Sequence, residues 1–261
     1  MREILQVDSL CKTFKLSKKQ QKAMKTTEKT KQALHNLSFT AYEGEVFGLL
    51  GPNGAGKTTT LRILSTLIKP DSGSAVLDGL SVTGQPHEVR RRIGFLTSEL
   101  KLEEFFTPDY LFDFFSALYG LPQDSVRQRK SELFDRFEVA SFAHVKVGNL
   151  STGMKQKVSL LISLVHDPDV IIFDEPTNGL DVLTARVVTD FLLELKGRGK
   201  TLIVSTHIFS LVEKICDRVG IIMEGKMIAS ETLKALTEGT DLETVFFDMH
   251  DRLSRARGGA S

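Results

Sequence analysis

Residues 51–58 read GPNGAGKT, a Gly-x-x-x-x-Gly-Lys-Thr spacing that follows the apolar run VFGLL and precedes a helix-forming stretch. Glycines at 51, 54 and 56 let the backbone turn so that successive N–H groups face one concavity, and a helix starting there adds its N-terminal partial positive charge. Lys57 can then reach the β- and γ-phosphates of a nucleotide, and the Thr58 hydroxyl can ligate Mg²⁺. The candidate ATP contacts are Gly51, Pro52, Asn53, Gly54, Ala55, Gly56, Lys57, Thr58 and Thr59.

A second group of residues could work on the same phosphates. In VIIFDE (170–175) four apolar residues run into two carboxylates. A buried strand of that composition delivers Asp174 and Glu175 to its C-terminal end, where open α/β sheets bind ligands. Asp174 suits the Mg²⁺ shell, and Glu175 suits the orientation or deprotonation of an attacking water. TLIVSTH (201–207) brings His207 to the same edge, within reach of a γ-phosphate or that water. The catalytic candidates are therefore Glu175, His207 and Lys57. The other histidines, at 35, 87, 144, 166 and 250, have no such placement. At 150–154, LSTGM precedes an amphipathic helix for which Ser151 is a natural N-cap. Its first turns hold Lys155 and Lys157 and no acid, the reverse of what the helix dipole favours. Either an anion sits at that N-terminus or the lysines are simply solvated.

These groups need a sheet to position them. Alternation and apolar runs predict strands at 3–7, 36–41, 45–50, 74–78, 93–96, 170–173 and 201–205. Helices are expected at 58–67, stopping before Lys69-Pro70, and at 182–197. The βαβ order implies a mainly parallel sheet. Between them, residues 107–140 carry Phe112, Phe115, Leu118, Leu133 and Phe137 at helical spacing, broken at Gly120-Leu121-Pro122. This is read as a helical insertion whose aromatics face the core or a partner.

Composition narrows the classes. With 41% hydrophobic and 26% charged residues, the 261-residue chain is an ordinary folding sequence. Cys11 and Cys216 are too far apart for a zinc framework and suit a reducing compartment. MREILQVDSL lacks a signal-peptide core, and no apolar run approaches a membrane span, so a membrane role would come through a partner. Residues 11–31 hold eight lysines and one glutamate, net +7, which leaves −6 elsewhere in a chain of net +1. Positive charge confined to one expected loop, at 15–31, reads as a solvated insertion, with anionic lipid contact as a weaker alternative. No nucleic-acid partner is expected from it.

The ordered set GPNGAGKT, LSTGM, VIIFDEP (170–176), GLD (179–181) and His207 resembles the ATP-binding-cassette (ABC) ATPases over nearly the whole chain. The guanine-reading N-K-x-D pattern is absent. The resemblance implies an α/β P-loop NTPase cassette in one domain, 1–261. A RecA-like parallel core with an antiparallel β-subdomain (1–97 and 160–261) would carry a helical subdomain at 98–159. It also implies a head-to-tail dimer, with a second copy or a homologous subunit, that sandwiches two Mg-ATP. Ser151, Thr152, Gly153 and Asp181 of one subunit would meet ATP on the other. Phe14, in CKTF, occupies the place of the family's adenine-stacking aromatic. LSTGM departs from the family's LSGGQ at Thr152 and Met154, and the family's Mg²⁺-ligating Gln falls here on Ser98, with Glu99 beside it, leaving both open as ligands. FFTPDYLFDFFSALYG resembles subunits serving ABC-2-type permeases, and IGFLTSELKLEEFFTP resembles the sodium-export, NatA-like branch. The implied protein is a transporter ATPase driving export through a separate multi-span permease, cytoplasmic and peripheral on the inner face of the membrane. Rivals are a soluble ABC ATPase acting on ribosomes or DNA, and a nucleotide-binding assembly factor with little turnover.

Overall fold

The computed structural model describes residues 1–23, 25–97 and 102–258. In chain order the strands are β1 (Glu3–Lys15), β2 (Thr30–Tyr42), β3 (Val46–Leu50), β4 (Ser72–Leu77), β5 (Leu80–Ser81), β6 (Ile93–Thr97), β7 (Val170–Asp174), β8 (Thr201–Thr206), β9 (Arg218–Met223) and β10 (Lys226–Thr232). The helices are α1 (Lys18–Ala23), α2 (Lys57–Leu64), α3 (Pro86–Arg92), α4 (Pro108–Leu118), α5 (Gln123–Arg136), α6 (Thr152–Ser163), α7 (Val182–Gly197), α8 (Phe209–Ile215), α9 (Leu233–Leu236) and α10 (Leu242–Gly258). One sheet has the order β2-β1-β4-β5 and is antiparallel; the other runs β10-β9-β3-β8-β7-β6. In the second, β9, β3, β8, β7 and β6 are parallel and β10 closes the edge antiparallel.

The parallel strands are buried on both faces, as their unbroken apolar runs require. Period-2 alternation sorts their side chains into two cores. Val46, Ile171, Phe173, Leu202 and Val204 pack towards α4–α8, whereas Phe47, Leu49, Ile172 and Ile203 pack towards α2 and the antiparallel sheet. The helical insertion has no core of its own. Phe112, Leu133, Phe137 and Val158 belong to the same cluster as Phe173 and Leu192 of the sheet and α7. It breaks where expected, since Gly120 adopts φ +68° and Pro122 follows. Leu118, by contrast, faces solvent.

Two local expectations change. Helix α2 ends at Leu64 rather than near 67. Thr66 takes φ +64°, its N–H donates to Ile63 O, and the Leu67 N–H donates to Arg62 O, a Schellman closure. A β-branched residue in this left-handed conformation is held by Arg90, whose Nη1 donates to Thr66 Oγ1 at 2.9 Å. The lysine-rich stretch is not a plain loop. Antiparallel pairing continues to Lys15 opposite Thr30, and α1 sits at the tip with no buried residue. It is a solvated hairpin arm. Among the described residues no helix is long and apolar enough to cross a membrane.

Candidate nucleotide site

The β3–α2 turn forms the wall of a cleft of about 360 Å³, lined by Phe14, Lys31, Ala33, residues of the 52–59 segment, Glu175 and Asn178. Two glycines are required by the local geometry. A Cβ on Gly51 would lie 2.2 Å from Ile222 O of β9, and Gly56 has φ +110° with Ala33 O 2.9 Å from any Cβ. The turn is thus pressed against two neighbouring strands, leaving room for backbone only. Gly56 begins α2 without a side-chain cap, and the first turn contains no acid. The helix N-terminal amides therefore remain available to an anion.

Lys57 is only 5% exposed. Its Nζ donates to Gly51 O at 2.6 Å and Pro52 O at 3.3 Å, and lies 3.3 Å from Glu175 Oε1. A buried ammonium is tolerable only with such partners. Asp174, 2% exposed at the end of β7, accepts from Thr58 Oγ1 at 3.2 Å and from Ser205 Oγ at 2.5 Å. Ser205 stands beside it because β7 and β8 pair Asp174 with Ser205 in register. Glu175 follows in the left-handed region, φ +53°, and its N–H donates to both the carbonyl and the hydroxyl oxygen of Ser205 at 3.1 and 3.2 Å. That strained backbone turns the carboxylate into the cleft, where the Nδ1–H of His207 donates to Oε2 at 2.9 Å. Phe14 stands at the cleft rim, partly exposed, with Lys12 Nζ 5.7 Å from its ring centre.

The structure therefore brings Phe14, the phosphate-loop residues, Asp174, Glu175 and His207 to one end of the parallel sheet. It does not bring the LSTGM segment there. Ser151 caps α6, its Oγ accepting from Met154 N at 3.3 Å, and Asp181 caps α7 by accepting from Leu183 and Thr184 N–H, each at 3.0 Å. Those bonds from Thr184 and Leu183 hold the Asp181 carboxyl below its ordinary pKa. Gly153 lies against this cap, since a Cβ there would be 3.2 Å from Thr184 Oγ1. Ser151, Thr152, Gly153 and Asp181 are absent from the cleft's lining. Ser98 and Glu99 lie outside the described residues. Sequence reasoning missed Ser205, Asn178 and Lys31. Ser205 had a signal, a hydroxyl near the end of the otherwise apolar TLIV run; the other two needed the tertiary arrangement.

Comparison with known proteins gives the family and the fold. A family model described as ABC transporter matches residues 34–178. The ABC transporter ATP-binding protein NatA of Bacillus subtilis is 38% identical, with 87% of this chain aligned to 93% of that protein. The Nod factor export ATP-binding protein I of Burkholderia orbicola is 39% identical over 80% of this chain and 68% of its own length. A solved ATP-binding subunit of an ABC transporter superposes with TM-score 0.82 at 26% identity, covering 95% of this chain and 99% of that one. A dimeric cassette described as a post-hydrolysis state bound to ADP and Pi gives TM-score 0.77 at 27% identity, covering 88% and 99%. The chain, with its P-loop cassette fold, belongs to the ATP-binding subunits of ABC transporters and is an ATPase of that family.

Proposed function

We propose that this subunit works as a head-to-tail pair, with itself or a homologous ATPase, beneath a separate membrane-spanning permease, and that each ATP is completed by the partner's LSTGM segment. The observation that carries this reading is the one-sided site. Lys57, Thr58, Asp174, Glu175 and His207 converge at an open cleft, while Ser151 and Gly153 sit outside it on the same chain. In this reading adenine stacks on Phe14, and the phosphates lie over the α2 N-terminus. Lys57 exchanges its contact with Glu175 for one with phosphate. Glu175, steadied at Oε2 by His207, takes the proton of a water whose oxygen bonds the γ-phosphorus as the β–γ bridging bond breaks, giving ADP and phosphate. Thr58 and Asp174 fit a Mg²⁺ ion: one hydroxyl and one buried carboxylate, 3.2 Å apart, supply the few hard oxygens that Mg²⁺ takes from protein when phosphates and water provide the rest. The ion would neutralise charge on the β- and γ-phosphates.

The permease contact is assigned to the helical insertion. Phe105 is 79% exposed, and Phe106, Tyr110 and Phe114 stack along α4 with centroids 4.6 and 6.2 Å apart. Phe106, Tyr110 and Phe114 border an almost wholly apolar groove of about 280 Å³ that also involves Leu111, Phe115 and Ile162. Exposed aromatics in a row around such a groove fit a docked helix of a membrane partner. Export is supported by the Nod factor export relatives, and sodium as cargo rests on the NatA-like segment IGFLTSELKLEEFFTP. Co-purification tests the assignment. The native protein is expected with membranes, and Tyr110→Ser/Phe114→Ser is expected to move to the soluble fraction with its basal ATPase intact. Recovery of the native protein with ribosomes and away from membranes would overturn it.

A further inference from the structure

We infer that Lys31 is an additional nucleotide contact, its ammonium reaching across from β2 to the phosphate chain held at the turn of the phosphate loop. This rests on the cleft being the ATP site. Lys31 is paired in register with Phe14 on the neighbouring strand. Directly opposed residues of an antiparallel ladder share a face, and both side chains line the cleft. Lys31 Nζ lies 3.9 Å from where a Cβ on Gly54 would stand, so it overhangs the middle of the phosphate loop.

Charge points the same way. The charged side chains lining the cleft are Lys31, Lys57 and Glu175. Lys57 and Glu175 are paired at 3.3 Å, and Lys12, farther along β1, is bound to Asp71 at 2.8 Å. Among the described residues no carboxylate pairs with Lys31. It is the surplus cation of the cleft, and an anionic polyphosphate is the ligand that would engage it. The same two strands carry the lysine-rich arm outward from the cleft. The arm supplies a salt-screened field, whereas of the lysines on β1, β2 and the arm, among the described residues, Lys31 is the one that lines the cleft.

The test measures Kd for mant-ATP and for unlabelled adenosine by competition, at two salt concentrations, for the native chain and for Lys31→Ala, Lys31→Arg and Lys31→Glu. Lys31→Ala is expected to weaken ATP binding about 3- to 10-fold and to flatten its salt dependence, with adenosine unchanged. Lys31→Glu should weaken it further, Lys31→Arg should restore it, and all should melt with the native chain because the side chain is exposed. If the native chain bound no ATP, the reading of the cleft itself would fall, and this inference with it. If the native chain bound ATP and Lys31→Ala matched it, or lost ATP and adenosine equally, Lys31 alone would be excluded as a phosphate contact.

Discussion

Replacing Glu175 by Gln changes one oxygen to an amide in a place where three groups meet. The carboxylate is 11% exposed, with Lys57 Nζ 3.3 Å from Oε1 and His207 Nδ1 2.9 Å from Oε2. Gln keeps the shape and can accept from His207, but it cannot take a proton from water. Loss of a positioned general base removes about 10²-fold or more of the hydrolytic rate, or roughly 2.7 kcal/mol of barrier. Binding should move the other way. On the proposed mechanism Lys57 leaves Glu175 Oε1 to meet phosphate, and an amide in its place would hold Lys57 less strongly, so ATP affinity is expected to be equal or up to about tenfold higher. The assay is single-turnover hydrolysis at saturating Mg-ATP, with ATP affinity measured separately. A slow variant that binds ATP at least as well as the native chain supports the assignment. Near-native turnover would remove Glu175 from the chemistry, and equal losses of binding and rate would make it a structural residue.

Other outcomes follow from packing. Gly48 lies in β3 where a Cβ would be 2.6 Å from Cys216 Sγ, so Gly48→Ala should cost about 1–3 kcal/mol and lower the melting temperature by several degrees. Adding Cys216→Ala removes the sulfur and leaves the nearest Cys216 contact at 3.5 Å, so the double variant should recover much of the loss in thermal melts. Burial pushes the Cys216 thiol up to about 12. At pH 8 its thiolate fraction is then on the order of 10⁻⁴, and maleimide should label Cys11, which is partly exposed, while Cys216 reacts only after unfolding. Rapid native labelling of both, read by mass spectrometry, would contradict that burial.

Much of the site was legible because its residues lie at the ends of apolar runs. VFGLL into GPNGAGKT, VIIF into Asp174-Glu175 and TLIV towards His207 each announce a buried strand and the group it delivers. Ser151 was legible as a cap because a hydroxyl before a helical run has few other uses. What escaped depends on register or on local strain. Lys31 and Phe14 meet only because two strands separated by the lysine-rich arm come together, and the pairing itself shifts register along the way. The described residues of the arm bury nothing, so no apolar period marks its strands in the sequence. The end of α2 is hidden from the sequence because Thr66, a residue averse to positive φ, terminates it with help from distant Arg90. The merging of the helical insertion with the sheet's core is likewise a tertiary fact.

In the proposed pair each chain holds half of an ATP site. That division is tested most directly by mixing two variants, Lys57→Ala, which empties the phosphate loop, and Ser151→Arg, which disables LSTGM. Each alone should be inactive. In a head-to-tail pair a mixed dimer joins one intact loop to one intact LSTGM segment, so an equal mixture should recover about a quarter of native ATPase activity if sites act independently. Native activity of Ser151→Arg on its own would mean that each cleft is complete within its own subunit, and a mixture as inactive as its components, while both variants still pair with the native chain, would contradict the shared site.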